Sequence, residues 1–347
     1  MTSDSGLSRL PAGPLPAGAL LSLLLSLLLP SFAGNEAYSQ GNTPPYEVTV
    51  AAGDFDRRST VVSFPLPVQL SEGAFYLEAP TGNRVPLQTG KNRAWFVLDS
   101  LSAGAERTYM LKTGKQSSSR VRVERRERAL AFSVDDEPVL KYWRKPRPLP
   151  RPEIDSIFLR GGYLHPVRTP SGRVVTGDYP ADHKHHHGIW SAWTKTEFRG
   201  RTPDFWNMGR GSGAVETMAL DSTWSGAVHG GLEARHRFLD YSGAEPVTAL
   251  YEKWSLHVYR VSGPSRTYRM FDLTVTQTTA SSSPLILPEY HYGGVAVRGP
   301  DVWYGSENAR FLTSSGKGQS KGNESRARWN YFGGSLDGKR AGIVMMG

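Results

Sequence analysis

Histidine is concentrated in one short run of this 347-residue chain. Five of the nine histidines lie between His165 and His187, and residues 182–188 read DHKHHHG. If this segment is extended, alternate side chains share a face, which groups the imidazoles of His183, His185 and His187. Three such imidazoles can bind a divalent metal, or act as acid, base and hydrogen-bond donor toward a sugar. These three are our candidate catalytic residues and, alternatively, metal ligands; the simpler alternative is a hydrogen-bonded surface loop.

Aromatic and acidic residues surround this run in the sequence. Aromatic rings stack on the apolar face of a pyranose, while carboxylates bind its hydroxyl groups. The alternatives are core packing for the aromatic residues and solvated turns for the acidic ones. The candidate substrate-binding residues are Asp178, Asp182, Trp190, Trp193, Asp204 and Trp206, with Glu197 and Phe205 as further members of the set.

A second candidate group lies about 100 residues later, in the stretch 288–299. Glu289 and His291 are two positions apart, so in a strand they would share a face and could supply a general base or further metal ligands. Tyr292 and Arg298 are candidate substrate contacts in the same stretch. We expect Glu289 and His291 to converge with the three histidines in one pocket; the alternative is a pair of ordinary sheet-surface residues.

The elements that must position these residues are predicted to be strands. The 37 glycines, 24 prolines, 15 tyrosines and nine tryptophans favour strands and turns over helices. We predict an all-β chain with a small β-sandwich at 46–115, a Ser-rich linker, and a large antiparallel β-sandwich at 120–347. The small sandwich is expected to fold separately and to contribute no catalytic group. The chain stops within the apolar strand 342–346, so we expect the large domain to be cut short.

The first 33 residues predict an export signal. A Leu-rich run at 17–29 ends at Pro30, and Ser31-Phe32-Ala33 supplies small residues at a cleavage site after Ala33. The run is shorter than the ~20 apolar residues that span a bilayer. We therefore expect a secreted or periplasmic protein with no membrane span after cleavage.

Composition removes several function classes. The chain has no cysteine, which excludes disulfides, thiolate metal sites and a cysteine nucleophile. Its formal net charge of +9 is not accompanied by a nucleic-acid-binding module, so nucleic acid is not an expected partner. A saccharide or glycoconjugate is the expected partner. The motifs of serine hydrolases, phosphate-binding loops, zincins and dinucleotide-binding folds are absent.

Several of these segments resemble a bacterial family of unsettled role, DUF6807, often labelled methane oxygenase PmoA. The resemblance covers roughly residues 155–347. The methane label fits poorly, because that oxygenase is an integral membrane enzyme. A more distant similarity is to galactose mutarotase-like super-sandwich proteins, whose sugar epimerases carry a His-x-His-Gly-like turn and a later His-Tyr pair; residues 185–188 and 291–292 would be the counterparts. The segments that carry the first resemblance are 163–172, 182–193, 204–206, 292–294 and 328–329.

Three functions remain open from the sequence. The first is an exported enzyme that uses histidine acid–base chemistry on a saccharide, as an epimerase, lyase or hydrolase. The second is a metal-dependent enzyme with a histidine cluster that binds Zn, Cu or Fe. The third is a non-catalytic saccharide-binding module. The cofactor is therefore unknown, with a divalent metal as the one candidate.

Overall fold

The computed structural model describes residues 38–40, 46–66, 74–115, 118–261, 268–305 and 307–347. The predicted export signal lies outside these residues. Twenty-one strands pair antiparallel in five sheets, and the described part contains a single four-residue α-helix, α1 (Gln319–Gly322). The all-β prediction is confirmed. No helix within these ranges is long and apolar enough to cross a membrane.

The first eight strands form a small sandwich. A five-stranded sheet, ordered β1-β2-β8-β4-β5, packs on a three-stranded sheet, ordered β3-β7-β6. Buried residues from both sheets, including Val48, Leu77 and Phe96, form one hydrophobic core. The strands are β1 (Tyr38–Gln40), β2 (Tyr46–Ala51), β3 (Arg57–Pro65), β4 (Phe75–Glu78), β5 (Arg84–Pro86), β6 (Gln88–Thr89), β7 (Arg93–Leu101) and β8 (Glu106–Thr113).

The next sheets form the larger β structure. A six-stranded sheet is ordered β18-β13-β12-β11-β10-β9, and a four-stranded sheet is ordered β14-β15-β16-β17. Leu130, Phe132 and Leu164 of the first pack with Leu232 and Trp254 of the second in one core. The strands are β9 (Val121–Arg125), β10 (Ala129–Val134), β11 (Glu137–Trp143), β12 (Tyr163–Val167), β13 (Ile189–Trp193), β14 (Gly213–Trp224), β15 (His229–Asp240), β16 (Val247–Tyr259), β17 (Met270–Thr279) and β18 (Gly293–Val297).

A three-stranded sheet follows in the last part of the chain. Its order is β19-β20-β21, with strands at Ala309–Thr313, Trp329–Leu336 and Lys339–Met346. Trp303, in a short 3-10 turn at Asp301–Trp303, joins the main core, and Phe332 and Ile343 pack against that core.

One predicted strand is much shorter than the sequence suggested. Alternation favoured a strand over 285–297, but the strand covers only Gly293–Val297, and the segment before it makes one isolated bridge, between Glu197 and Ile286. Pro284 and Pro288 flank this segment, and proline has no backbone N–H to donate to a sheet. The argument that Glu289 and His291 share a strand face therefore fails.

Candidate functional site

The histidine run is a turn rather than a strand. His186 N donates to the carbonyl oxygen of His183 at 2.9 Å, which closes a turn through Lys184 and His185. The run ends at Gly188, where a Cβ would overlap the carbonyl oxygen of Leu164 in the neighbouring strand. Alternation does not hold in a turn, so the predicted grouping of His183, His185 and His187 is wrong.

His186 takes the place that the sequence assigned to His187. Its ring stacks on His183 with centroids 4.7 Å apart, and it contacts His185 edge-on at 4.5 Å. The rings of His183 and His185 are 5.6 Å apart. We call His183, His185 and His186 the imidazole cluster.

Aromatic residues support this cluster and extend beyond it. Trp190 lies 5.0 Å from the ring of His186, and Trp206 lies 6.0 Å from it; both indoles are buried. The ring of Trp206 lies 5.3 Å from Tyr292, which is exposed like its neighbour Tyr290. Trp190 and Trp206 therefore pack against the cluster from the protein interior. Tyr290 and Tyr292 provide the aromatic surface that is accessible to solvent.

Two members of the imidazole cluster, His185 and His186, are neutral at physiological pH. Burial, with a smaller contribution from the neighbouring imidazoles, lowers the pKa of His185 to about 4 and that of His186 to about 3. His186 Nδ1 and Trp190 Nε1 are buried and have no hydrogen-bond partner among the described residues. These rings can therefore exchange hydrogen bonds with a neutral ligand.

His183 has a carboxylate that orients it. Its Nδ1 lies 2.8 Å from Asp182 Oδ2, and Arg298 Nη2 donates to Asp182 Oδ1, also at 2.8 Å. Partial burial raises the pKa of Asp182, but the hydrogen bonds from His183 and Arg298 outweigh it and lower the pKa below its usual value. An ionised Asp182 holds the proton of His183 on Nδ1, which leaves Nε2 of this half-exposed ring as the basic nitrogen.

His187 and Asp178 form a second pair, inside the protein. His187 Nδ1 lies 2.8 Å from Asp178 Oδ1, and both side chains are almost completely buried. Tyr163 donates to Asp178 Oδ2 at 3.1 Å, and Arg147 Nη1 lies 3.3 Å from the same oxygen. Neither His187 nor Asp178 is placed to contact a ligand at the imidazole cluster. Arg147, in the proline-rich stretch 144–152, was not among the candidate residues predicted from the sequence.

Glu289 and His291 do not converge with the histidines. Strands β13 and β18 pair antiparallel, with Ile189 opposite Val297 and Trp193 opposite Gly293. The histidine run precedes one end of this ladder and Glu289 precedes the other, about 13 Å away at ~3.3 Å per residue. The ring contacts that connect the two ends pass through Trp206 and Tyr292.

Three further candidates have structural contacts of their own. Asp204 accepts from the backbone amides of Trp206 and Asn207 at 2.9 Å, so it stabilises a turn. Glu197 pairs through its backbone with Ile286. Trp193 Nε1 donates to Gln277 Oε1 at 2.9 Å.

A buried polar network was not recognised from the sequence. Glu252 pairs with His236 Nδ1 at 3.0 Å and accepts from Ser191 Oγ and Gln277 Nε2, each at 2.7 Å. His236 Nε2 lies 2.7 Å from the hydroxyl of Tyr142. The signal was present, because Glu252 falls on the face of β16 that alternation assigns to the core. Its hydrogen bonds fix Ser191 and so anchor β13 beneath the imidazole cluster.

The described residues contain no group of three or more His, Cys, Asp or Glu arranged to hold a metal ion. His183, His185 and His187 cannot bind one metal ion together, because His187 points into the interior toward Asp178. The metal interpretation therefore has no geometric support in this part of the chain.

Comparison with protein families gives a match over residues 129–347 to a family of unknown function, DUF6807. The chain belongs to this family. The match includes the imidazole cluster, Asp182, Arg298 and Tyr292, and it leaves out the small sandwich. A search of curated proteins found no match.

Proposed function

We propose that this DUF6807 protein is an exported, carbohydrate-active enzyme that uses His183 for acid–base chemistry on a saccharide. The observation that carries the proposal is the Asp182–His183 pair beside two neutral imidazoles and an exposed aromatic surface. A carboxylate-oriented imidazole is a common general base, and aromatic rings are the usual platform for a sugar. The reaction class is epimerisation, elimination or hydrolysis.

The chemistry assigns a different task to each group. Nε2 of His183 accepts a proton from the sugar while Asp182 stabilises the imidazolium that forms. His185 is neutral, so it exchanges hydrogen bonds with hydroxyl groups without repelling the imidazolium strongly. Tyr292 stacks on the ring, and Arg298 keeps Asp182 ionised.

A non-catalytic saccharide-binding module is the second candidate. It is favoured by the exposure of Tyr290 and Tyr292, which resembles the accessible aromatic surface of a binding face. In that case the imidazoles supply hydrogen bonds only. The metal-dependent alternative has less support, since the described residues offer no three-ligand group.

Export rests on the sequence of residues 17–33 alone. The expected signature is an exported protein whose first residue is Gly34; exported material that begins at Met1 would refute it.

The test compares His183→Gln with His291→Gln in the full chain. Glutamine keeps hydrogen-bonding capacity but cannot act as a base, and His291 lies at the other end of the β13–β18 ladder. Proton exchange at sugar carbons and release of new reducing ends are followed by NMR on a panel of saccharides, with affinities from calorimetry. We expect His183→Gln to lower turnover about 100-fold or more and to change affinity little, while His291→Gln retains both.

The outcomes separate the candidates. Equal turnover in the two variants would overturn the assignment of His183. Binding that depends on Tyr292, shown with Tyr292→Ala, without turnover of any sugar would favour the binding module instead.

A further inference from the structure

A cavity of about 500 Å³ lies away from the imidazole cluster, where the small sandwich meets the β14–β15 hairpin. Its size is typical of small-molecule sites. None of the described residues that line it has a charged side chain. The lining residues that matter here are Gln88, Trp95, Ser119, Trp224, His229 and His257.

The register of the four-stranded sheet explains how these rings come together. Trp224 lies opposite Gly231, and Gly231 lies opposite His257, so the side chains of Trp224 and His257 are on one face. Trp254, Leu256 and Val258 point to the other face and fill the core. A Cβ at Gly231 would overlap the Trp224 indole, so this glycine lets the indole lie across the sheet.

The small sandwich closes the cavity from the other side. The ring of Trp95, on β7, meets His229 edge-on at 4.8 Å. Gln88 Oε1 accepts from the backbone amides of Val228 and His229 at 2.9 and 2.8 Å. The cavity is therefore built from two parts of the chain that are held together by specific hydrogen bonds.

Two imidazole nitrogens at the cavity lack partners within the described residues. Trp224 Nε1 donates to His229 Nδ1 at 2.9 Å, so the proton of the neutral His229 ring is on Nε2. Only 3% of His229 is exposed, and its Nε2 is buried without an acceptor. His257 Nδ1 is also buried without a partner. Leaving such atoms unpaired costs about 1–3 kcal/mol each, which hydrogen bonds from a ligand would recover.

We propose that this cavity is a second ligand site, which binds a neutral saccharide between Trp95 and Trp224, with His229 and His257 bound to its hydroxyl groups. The two indoles provide apolar ring faces, the imidazoles provide hydrogen bonds, and the absence of lining charges selects against ionic ligands. The site does not depend on the function proposed for the imidazole cluster. It also gives the small sandwich a part in ligand binding, where the sequence suggested no catalytic group.

The test blocks the cavity by enlarging one exposed residue that lines it. Ser119 is an exposed linker residue that lines the cavity, and Ser118 is an exposed neighbour that does not. The full-chain variants Ser119→Trp and Ser118→Trp are titrated by calorimetry with glucose, galactose, xylose, cellobiose and lactose, and with glucuronate as a charged probe. His257→Phe, which keeps a ring and removes the polar nitrogens, and His186→Phe, in the imidazole cluster, complete the set.

We expect at least one neutral sugar to bind about tenfold or more weakly to Ser119→Trp and His257→Phe while Ser118→Trp and His186→Phe retain that binding. A sugar held by the imidazole cluster would instead lose affinity in His186→Phe and keep it in Ser119→Trp. If both serine variants lose binding, His257→Phe decides. Saturable binding of none of these sugars, tighter binding of glucuronate, or loss only in His186→Phe for every sugar that binds would each overturn the proposal. The last result would assign the sugar to the imidazole cluster instead.

Discussion

Two carboxylate–imidazole pairs lie within ten residues of each other, in opposite environments. Asp178 and His187 are buried, and Asp178 also binds Tyr163 and Arg147, whereas Asp182 and His183 are partly exposed. Breaking a buried ion pair leaves an uncompensated charge, while an exposed pair contributes little. The first pair therefore stabilises the fold, and the second is available for chemistry.

This difference predicts that the same substitution costs much more stability in the buried pair than in the exposed pair. Asp178→Asn should lower the free energy of unfolding by about 3–5 kcal/mol, because Arg147 loses its buried counter-charge. Asp182→Asn should lower it by about 1 kcal/mol or less. Urea denaturation at pH 7 measures both. Similar losses in the two variants would show that Asp178 has no special structural role.

The pKa values of His185 and His186 predict a loss of stability in acid. Both rings have a pKa lowered from 6.5, to about 4 and about 3, mainly by burial. The unfolded chain therefore binds protons that the folded chain refuses, so their contribution is complete above pH 6.5 and is lost as the pH falls toward 4. His186→Phe removes one of these groups, so its melting temperature should fall less between pH 7 and pH 4.5.

The control for this experiment is His291→Phe, whose ring lies outside the cluster. It should show the same acid-induced fall in melting temperature as the unmodified chain. A His186→Phe profile that parallels the control would contradict the assignment of a lowered pKa to His186.

At the residue scale the sequence predicted that His183, His185 and His187 lie together, whereas the ring that joins the first two is His186. The density of histidines identified residues 182–188 as a candidate site. It could not show that a turn at His183–His186 would turn His187 inward, because that depends on the bridge between Asp178 and His187.

At the scale of elements, the junction between the histidine run and β13 depends on one glycine. Gly188 has a φ of +27° and donates to Gly177, and a Cβ there would overlap the carbonyl of Leu164. Strands β12 and β13 pair only at Leu164 and Ile189. A side chain at 188 would therefore separate the two strands at their one pairing position.

Gly188→Ala should lower the free energy of unfolding by more than about 3 kcal/mol and weaken ligand binding at the imidazole cluster. Gly172→Ala is the matched control, since Gly172 also has a positive φ, of +81°, but a Cβ there would meet no atom within 4 Å. Its cost should be limited to backbone strain, about 1–2 kcal/mol. Equal costs in chemical denaturation would show that crowding at Leu164 is unimportant.

A strand with one buried face can be predicted from the alternation of its residues, as residues 254–258 show. Trp254, Leu256 and Val258 alternate with polar residues, which predicts a strand, and they lie in β16, where they fill the core while their neighbours lie on the other face. Residues 285–292 contain no buried residue. Their apolar residues predicted a strand, but Pro284 and Pro288 have no backbone N–H to donate to a sheet, and the strand begins only at Gly293.

At the scale of the whole molecule, pairings between distant segments could not be predicted. The sequence indicated two sandwiches, but nothing in the residue types of Gln88, Trp95 or Trp224 shows that they meet. Their contact depends on the register of β14 to β16 and on glycines that leave room. One such glycine is Gly226, where a Cβ would overlap the side chain of Gln88.

Gln88 should therefore control how the small sandwich is coupled to the rest of the protein. Its side-chain oxygen is the acceptor for two buried amides, those of Val228 and His229. Gln88→Ala leaves both amides unpaired, at about 1–3 kcal/mol each, and removes the link without touching either hydrophobic core. Calorimetry should then show the small sandwich melting as a separate, earlier transition. Thr89→Ala, one residue along β6, should keep the melting profile of the unmodified chain. If Gln88→Ala also kept that profile, the ring contact between Trp95 and His229 would be the next candidate for the coupling, and Trp95→Ala would test it.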